Sequence, residues 1–292
     1  MLTLLISSVF YVVIISSGHL AAGAGHYVQG LMWAPASAAF LTVWLRRDGF
    51  ASLGLGWSNG AFELTGYLVP LAYAAIAYAA VWAAGFGAFP DPQAIVALSK
   101  KLQWMLPSNW FVPVYFIFIG TTGMISNTAA ALGEEIGWRG FLAPRLVGRM
   151  GFTAGALVTG LIWTAWHVPI LLFADYNSGT PWWYGLSCFT VFVVSVSVML
   201  TWLRLRSNSV WPCAILHASH NLFIQSFFTP LTTHKGNITA YMIDEFGLFT
   251  PVAALLFAFV FWFNRKSAIR GFDLEENGDV GFGRKASVVL VR

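Results

Sequence analysis

Two adjacent glutamates and an arginine stand in an otherwise apolar stretch of the chain, GEEIGWRGF at residues 133–141. Glu135 and Arg139 are four residues apart with the acid first, which is the favourable order for an ion pair on one face of a helix. Glu134 lies about 100° around that helix from Glu135, so it faces a different surface. If Glu135 and Arg139 neutralise each other, Glu134 remains free for another role. A helix-end charge cluster at the lipid headgroups is the alternative interpretation.

Two further polar clusters follow in apolar surroundings, LIWTAWHVP with His167 and LHASHNLF with His217, His220 and Asn221. His217 and Asn221 are also four residues apart, so one helix face can present both as hydrogen-bond donors to a single oxygen. The structural alternatives are a hydrogen-bonded core histidine at position 167 and an interhelical hydrogen bond from the later cluster. We assign no role to His220. The three clusters together predict that a carboxylate, two imidazoles and an amide meet in one site.

These polar groups are unexpected because the chain is strongly apolar. Of its 292 residues, 58% are hydrophobic and only 10% are charged, whereas soluble domains carry about 25% charged residues. This balance predicts a polytopic membrane protein, in which a buried charge is costly and usually functional. Cys188 and Cys213 lie in apolar runs without C-x-x-C spacing, which argues against a disulfide framework or a thiolate metal site. The basic residues occur between apolar segments, so no nucleic-acid partner is predicted.

Eight segments have the length and apolar character of membrane-spanning helices, so the predicted fold is an all-α polytopic bundle of about eight transmembrane helices. They cover residues 2–18, 26–45, 62–86, 111–132, 152–174, 182–203, 210–229 and 246–264. The fourth has no proline before Pro144, so we expect its helix to run through the acidic motif and end there. The first has no basic residue before it, so we expect it to be retained, with cleavage near LAAGAG as the alternative.

Residues 1–270 are predicted to form a single membrane domain with its motif core at 130–225. The polar, Gly-rich residues 271–292 are predicted to form a cytoplasmic tail. Between the third and fourth predicted spans, residues 87–110 contain AIVALSKKLQWML, in which apolar residues have helical spacing. This pattern predicts an amphipathic helix that lies either in the membrane interface or as a packed cap over the bundle.

The basic residues are distributed unevenly about the predicted helices. If the eight helices alternate in direction, thirteen of the sixteen Lys and Arg residues fall on one side of the membrane, and Lys100, Lys101 and Lys235 fall on the other. The positive-inside rule then predicts that both termini are cytoplasmic. We therefore expect an integral, multi-pass protein of a bacterial plasma membrane.

The three polar clusters, in this order, resemble the motifs of the CAAX protease and bacteriocin-processing family of intramembrane endopeptidases. The matches are E-E-x-x-x-R at Glu134, Glu135 and Arg139, F-x-x-x-H at His167, and H-x-x-x-N at His217 and Asn221. The second motif departs from the family pattern, because Trp163 stands where Phe is usual. The resemblance covers about residues 130–225, roughly a third of the chain.

The resemblance implies that the protein hydrolyses peptide bonds within the membrane, at a site that faces the cytoplasm. Glu134, assisted by His167, would activate a water molecule, and His217 and Asn221 would donate hydrogen bonds to the tetrahedral oxyanion. Glu135 and Arg139 would support the site. The implied partners are membrane lipid and a peptide or protein substrate, for which a lipidated CAAX-type protein and a peptide precursor are both candidates.

No cofactor is favoured, because the sequence contains no H-E-x-x-H helix and neither histidine has an evident carboxylate partner. Zinc is the alternative, with Glu134, His167 and His217 as its ligands. Two other functions are open at this point. One is a non-catalytic bacteriocin-immunity or membrane scaffold protein, and the other is a proton-coupled transporter in which buried Glu and His side chains relay protons.

Overall fold

The computed structural model describes residues 1–177 and 179–269. The tail predicted for residues 271–292 lies outside this described part. The all-α prediction is confirmed, since the described chain forms a bundle of helices. The α-helices are α1 (Leu2–Ser17), α2 (His26–Arg46), α3 (Gly60–Ala83), α4 (Pro92–Leu102), α5 (Ser108–Phe118), α6 (Met124–Glu135), α7 (Ala143–Phe173), α8 (Trp182–Ser207), α9 (Trp211–His220) and α10 (Phe249–Phe263).

Three wider, π-helical turns continue the α-helices without interrupting them: Ile119–Gly123 joins α5 to α6, Ile136–Leu142 joins α6 to α7, and Asn221–Phe228 extends α9. Residues Ser108–Phe173 therefore form one helical run of 66 residues. The expected end at Pro144 is wrong, because Pro144 lies at the start of α7, where its missing N–H breaks no helical hydrogen bond. The non-helical backbone occurs instead at Gly151 (φ 79°, ψ 168°), a conformation that glycine adopts readily.

Four helices in the described chain are long and apolar enough to cross a membrane, namely Ala22–Arg46, Gly60–Ala83, Ser108–Phe173 and Trp182–Ser207. The predicted count of about eight spans is not confirmed. Two of the predicted segments, 111–132 and 152–174, belong to the single run Ser108–Phe173, and α1 and α10 are apolar but shorter.

The connections between helices meet at two ends of the bundle. At the basic end, Arg145 contacts Asp48 and the Arg204 guanidinium donates to the carbonyl of Ser52. At the opposite end, strand β1 (Gly87–Ala88) pairs antiparallel with β2 (Thr233–His234). The predicted distribution of the basic residues between the two sides of the membrane and the cytoplasmic location of the termini stay predictions.

The predicted amphipathic helix is α4, which begins at an Asp91 cap and packs beside α5 at the opposite end. Ile95 is buried and Val96 is exposed, so one face of α4 covers the bundle. Asp91 accepts hydrogen bonds from the backbone N–H groups of Gln93 and Ala94, which stabilises the first turn.

Two glycines determine which way the acidic motif faces. A Cβ atom on Gly133 would lie 2.7 Å from the carbonyl oxygen of Met32, and one on Gly137 would lie 2.3 Å from Cβ of Pro35. Glycines four residues apart allow two helix backbones to approach closely, and here they press α6 and the following π turn against α2. The side chains of Glu134 and Glu135 consequently turn away from α2, towards α7 and α9.

Candidate active site

Glu134 is buried in the bundle and faces a tryptophan of α7. Its Oε2 atom accepts a hydrogen bond from Nε1 of Trp163 at 2.7 Å and a longer one from Nε1 of Trp138 at 3.4 Å. Only 2% of the residue is exposed. The alternative in which this acid belongs to a headgroup charge cluster therefore does not describe its position.

Glu135 and Arg139 form the predicted ion pair, with Nη1 of Arg139 donating to Oε1 of Glu135 at 3.0 Å. Both side chains are fully buried. The same Oε1 atom also lies 2.9 Å from Nδ1 of His217 on α9. The sequence interpretation that neither histidine has a carboxylate partner is therefore wrong for His217, because packing of α6 against α9 supplies one from 82 residues away.

Trp163 lies at the centre of this cluster. Its indole N–H reaches Glu134, and its ring is 5.9 Å from the ring of His167 and 5.3 Å from that of His217, measured between centroids. The guanidinium carbon of Arg139 lies 4.1 Å from the indole centroid, within the range of a cation–π contact. The Trp163 side chain thus contacts a glutamate, an arginine and two histidines.

The hydrogen bonds of the two histidines indicate where their protons lie. Nδ1 of His167 is 2.9 Å from the carbonyl oxygen of Trp163; a carbonyl only accepts, so Nδ1 carries the proton and Nε2 of the neutral ring is an acceptor. Nδ1 of His217 faces the Glu135 carboxylate in the same way. Nε2 of His217 can therefore donate only when the ring is positively charged, a state that an adjacent carboxylate favours.

A small cavity lies against both histidines. Its volume is about 20 Å³, and the polar and aromatic side chains around it include Trp163, His167, His217, His220, Asn221 and Glu245. A polar cavity needs about 10–15 Å³ to hold one water molecule, so this one fits a single water. Glu134 is not among the lining residues, but it is hydrogen-bonded to Trp163, which is. The structure therefore brings His167, His217 and Asn221 to one space and connects Glu134 to them through Trp163.

Two features of the site could not be recognised in the sequence. The acidic motif and the His217–Asn221 motif each run into a π-helical turn, Ile136–Leu142 and Asn221–Phe228 respectively, and such turns are frequent at functional sites. Glu245 and Tyr176, which also line the cavity, come from connections at the opposite end. By contrast, the spacing of four residues between Trp163 and His167 is a local signal for the contact between these two rings.

The possible zinc ligands do not converge. In residues 1–177 and 179–269, no three His, Cys, Asp or Glu side chains are arranged to hold a metal ion. The Trp163 and Trp138 indoles occupy Oε2 of Glu134, so this oxygen is not presented to a metal beside the two histidines. As they stand, the described side chains do not form the zinc site predicted at Glu134, His167 and His217, and we derive no step through a metal.

Comparison with known proteins bears on the same helices. Residues 110–223 match the protein family described as Type II CAAX prenyl endopeptidase Rce1-like. A curated relative, CAAX prenyl protease 2 of Methanococcus maripaludis, is 29% identical over 122 residues, which are 39% of this chain and 41% of that relative. The alignment thus spans about two fifths of the relative's length. The resemblance predicted from the three motifs is confirmed: the segment 110–223 that carries them matches the Rce1-like CAAX prenyl endopeptidase family.

Proposed function

We propose that this protein is an intramembrane endopeptidase that hydrolyses peptide bonds of membrane-associated peptides or proteins. One observation carries the proposal: Glu134, His167 and His217, from α6, α7 and α9, surround the single buried indole of Trp163. All three lie within residues 110–223, the segment that matches the family. The relative named above is a CAAX prenyl protease, which makes a lipidated CAAX-type protein one substrate class to test and a peptide precursor the other.

Glu134 and His167 are proposed to activate the water molecule together. Both indole hydrogen bonds reach Oε2 of Glu134, so Oε1 is the oxygen that takes the proton of water. Nε2 of His167 is an acceptor in the neutral ring, because Nδ1–H is directed at the Trp163 carbonyl. It orients the water by accepting its second hydrogen. The hydroxide oxygen then bonds to the scissile carbonyl carbon.

His217 and Asn221 are the proposed donors to the resulting oxyanion. The His217 ring donates from Nε2 in its charged form, which Glu135 stabilises at Nδ1, and Asn221 donates from its amide. When the tetrahedral intermediate collapses, the C–N bond breaks and the Glu134 carboxylic acid returns its proton to the leaving nitrogen. Glu135 also forms an ion pair with Arg139, and this pair keeps the carboxylate in place.

Substrate entry requires the site to widen. A cavity of about 20 Å³ has room for one water but not for a peptide. We propose that substrate binding moves α7 and α9 apart beside the Trp163 indole, whose N–H stays bound to Oε2 of Glu134, so that Oε1 of the acid and the two histidines share one space. Loop or helix movements of this kind commonly gate enzyme active sites.

The test is peptide cleavage by the purified protein in liposomes, with products identified by mass spectrometry. Prenylated and unprenylated CAAX peptides and membrane-bound precursor peptides are offered, each with and without a chelator. We expect cleavage that Glu134→Gln abolishes. The matched control is Glu63→Gln, because Glu63 is also a buried carboxylate but is bound by Ser58 at the start of α3. Cleavage by the Glu134→Gln variant at the wild-type rate would refute Glu134 as the base, and absence of cleavage by the wild-type protein would refute the endopeptidase function.

A further inference from the structure

A second buried carboxylate lies at the other side of the cavity. Glu245 precedes α10 and is only 1% exposed. Its Oε1 atom accepts hydrogen bonds from the Tyr176 hydroxyl and from Nε2 of Gln225, both at 2.9 Å, and its Oε2 atom lies 3.2 Å from Nε2 of His220. A buried carboxylate with three such partners is a well-satisfied group rather than a chance inclusion.

The partners of Glu245 come from separate parts of the bundle. Tyr176 lies in the connection from α7 to α8, His220 ends α9, and Gln225 is in the π turn that follows. His220 extends the network to α3, since its Nδ1 atom is 2.8 Å from the Tyr73 hydroxyl. Glu245 therefore ties the connection before α10 to the elements that surround the cavity.

Tyr176 links this network to the proposed catalytic histidine. Its ring stacks on the ring of His167, with centroids 5.9 Å apart and planes at 24°. The backbone of Tyr176 belongs to a connection and not to a helix, so its hydroxyl bond to Glu245 is what anchors the far end of the side chain. His167 has one hydrogen bond, at Nδ1, and the Tyr176 ring restrains the tilt of its imidazole.

We propose that Tyr176 and Glu245 are positioning residues of the active site. Glu245 holds the Tyr176 hydroxyl, and the tyrosine ring holds His167 at the angle at which Nε2 faces the cavity. The inference rests on the proposed endopeptidase function and adds a requirement to it. Glu245 lies beyond residues 110–223, the segment that matches the family, so the motifs do not contain this role.

The experiment compares two tyrosine variants in the peptide-cleavage assay. Tyr176→Phe removes the hydroxyl bond to Glu245 and keeps the ring. Tyr184→Phe is the matched control, because the Tyr184 hydroxyl also makes a hydrogen bond at the opposite end, from the first turn of α8 to the Tyr241 carbonyl at 2.7 Å, but its ring is not among the cavity-lining side chains. We expect Tyr176→Phe to lower kcat about tenfold with KM within twofold, and Tyr184→Phe to change neither.

Glu245→Gln provides the second variant, in case Tyr176→Phe is produced in a misfolded form. The amide retains the size of the side chain but loses the charge that orders the three partners, so the same fall in kcat at unchanged KM is expected. Thermal unfolding of each variant in detergent shows whether the fold is intact. The proposal is overturned if kcat of a folded Tyr176→Phe or Glu245→Gln variant equals that of Tyr184→Phe. Absence of cleavage of every offered peptide by the wild-type protein would instead reject the endopeptidase function itself.

Discussion

Helix α9 carries two histidines that each meet a buried carboxylate, and the two contacts differ in what they leave open. His217 meets Glu135 through Nδ1 at 2.9 Å, and its Nε2 side faces the cavity that it lines. His220 meets Glu245 through Nε2 at 3.2 Å and Tyr73 through Nδ1 at 2.8 Å. Both ring nitrogens of His220 are therefore engaged by protein, whereas one nitrogen of His217 remains for chemistry.

The difference shows how similar residues acquire different tasks. A carboxylate at Nδ1 fixes the ring and its charge and directs Nε2 outwards, an arrangement suited to acid–base or oxyanion chemistry. Partners at both nitrogens fix the ring completely, and Phe192 stacks on His220 with centroids 4.2 Å apart. We therefore assign His217 to the proposed reaction and His220 to the support of the cavity.

Glu135→Ala should have the largest effect, on stability. Arg139 would keep its fully buried charge without its partner, and His217 would lose its anchor. Removing one member of a buried ion pair costs about 3–5 kcal/mol. Glu245→Ala leaves the uncharged donors of Tyr176, Gln225 and His220 without a partner. We therefore expect a smaller loss in the free energy of unfolding, about 1–3 kcal/mol. Chemical unfolding of both variants in mixed micelles measures the difference, and equal losses would contradict the distinction between the two sites.

His217→Ala should give the next largest effect, on catalysis. Loss of one oxyanion donor lowers kcat by about 10²–10³-fold, or about 2.7–4 kcal/mol in the barrier. His220→Ala should lower kcat by no more than about tenfold, because its role is to hold the cavity through hydrogen bonds. Steady-state cleavage of one peptide by both variants is the measurement. A larger loss of kcat in His220→Ala than in His217→Ala would reverse the assignments.

These two pairs also show what could be predicted from the sequence. The all-α fold and the Glu135–Arg139 pair were predicted correctly, because apolar runs and a spacing of four residues are local properties of a helix. The contact between Glu135 and His217 joins residues 82 apart in the chain. Neither residue's neighbours carry a signal for it, since it arises where α6 packs on α9. The Glu245 network depends in addition on irregular connections, whose conformation has no periodicity to detect.

Trp163 presents the same contrast within one motif. The Trp at this position was recognised as an aromatic substitute for Phe, and a role in packing was expected. Its indole N–H, which Phe lacks, is the group that bonds Glu134. The residue type was visible in the sequence, but its partner on α6 was visible only after the helices were assembled.

Trp163→Phe should therefore reduce kcat, by about tenfold, because Glu134 loses a hydrogen bond to a charged group worth about 1.5 kcal/mol. KM should change less, since the proposed base acts in the chemical step. Trp166→Phe is the control: the Trp166 indole packs beside His167 but donates to the Ser7 hydroxyl on α1 at 2.8 Å. A fall in kcat that is equal in the two variants would indicate general loosening of α7 rather than loss of the Glu134 contact.

The smallest effect is expected at the opposite end of the bundle, where a third carboxylate–histidine pair is open to solvent. Oδ2 of Asp175 lies 3.1 Å from Nδ1 of His19, and Oδ1 accepts from the backbone N–H of Leu20 at 2.7 Å. Partial burial tends to raise the pKa of Asp175, but the hydrogen bonds from Leu20 and His19 outweigh it and lower that pKa. The resulting stability is complete above the ordinary Asp pKa of about 3.9 and is lost as the pH falls through the lowered value.

Asp175→Asn should consequently cost no more than about 1 kcal/mol at neutral pH, because exposed pairs are screened by water. The difference from the wild type should shrink as the pH falls from about 4 through the lowered pKa of Asp175, below which the carboxylate of the folded wild type is protonated. Thermal unfolding in detergent at a series of pH values measures the loss of stability at neutral pH and its decrease at lower pH. Since neither His19 nor Asp175 lines the cavity, peptide cleavage should be unchanged. A loss of cleavage in this variant would mean that the contact between His19 and Asp175 acts on His167. The exposed and buried carboxylate–histidine pairs would then not be independent.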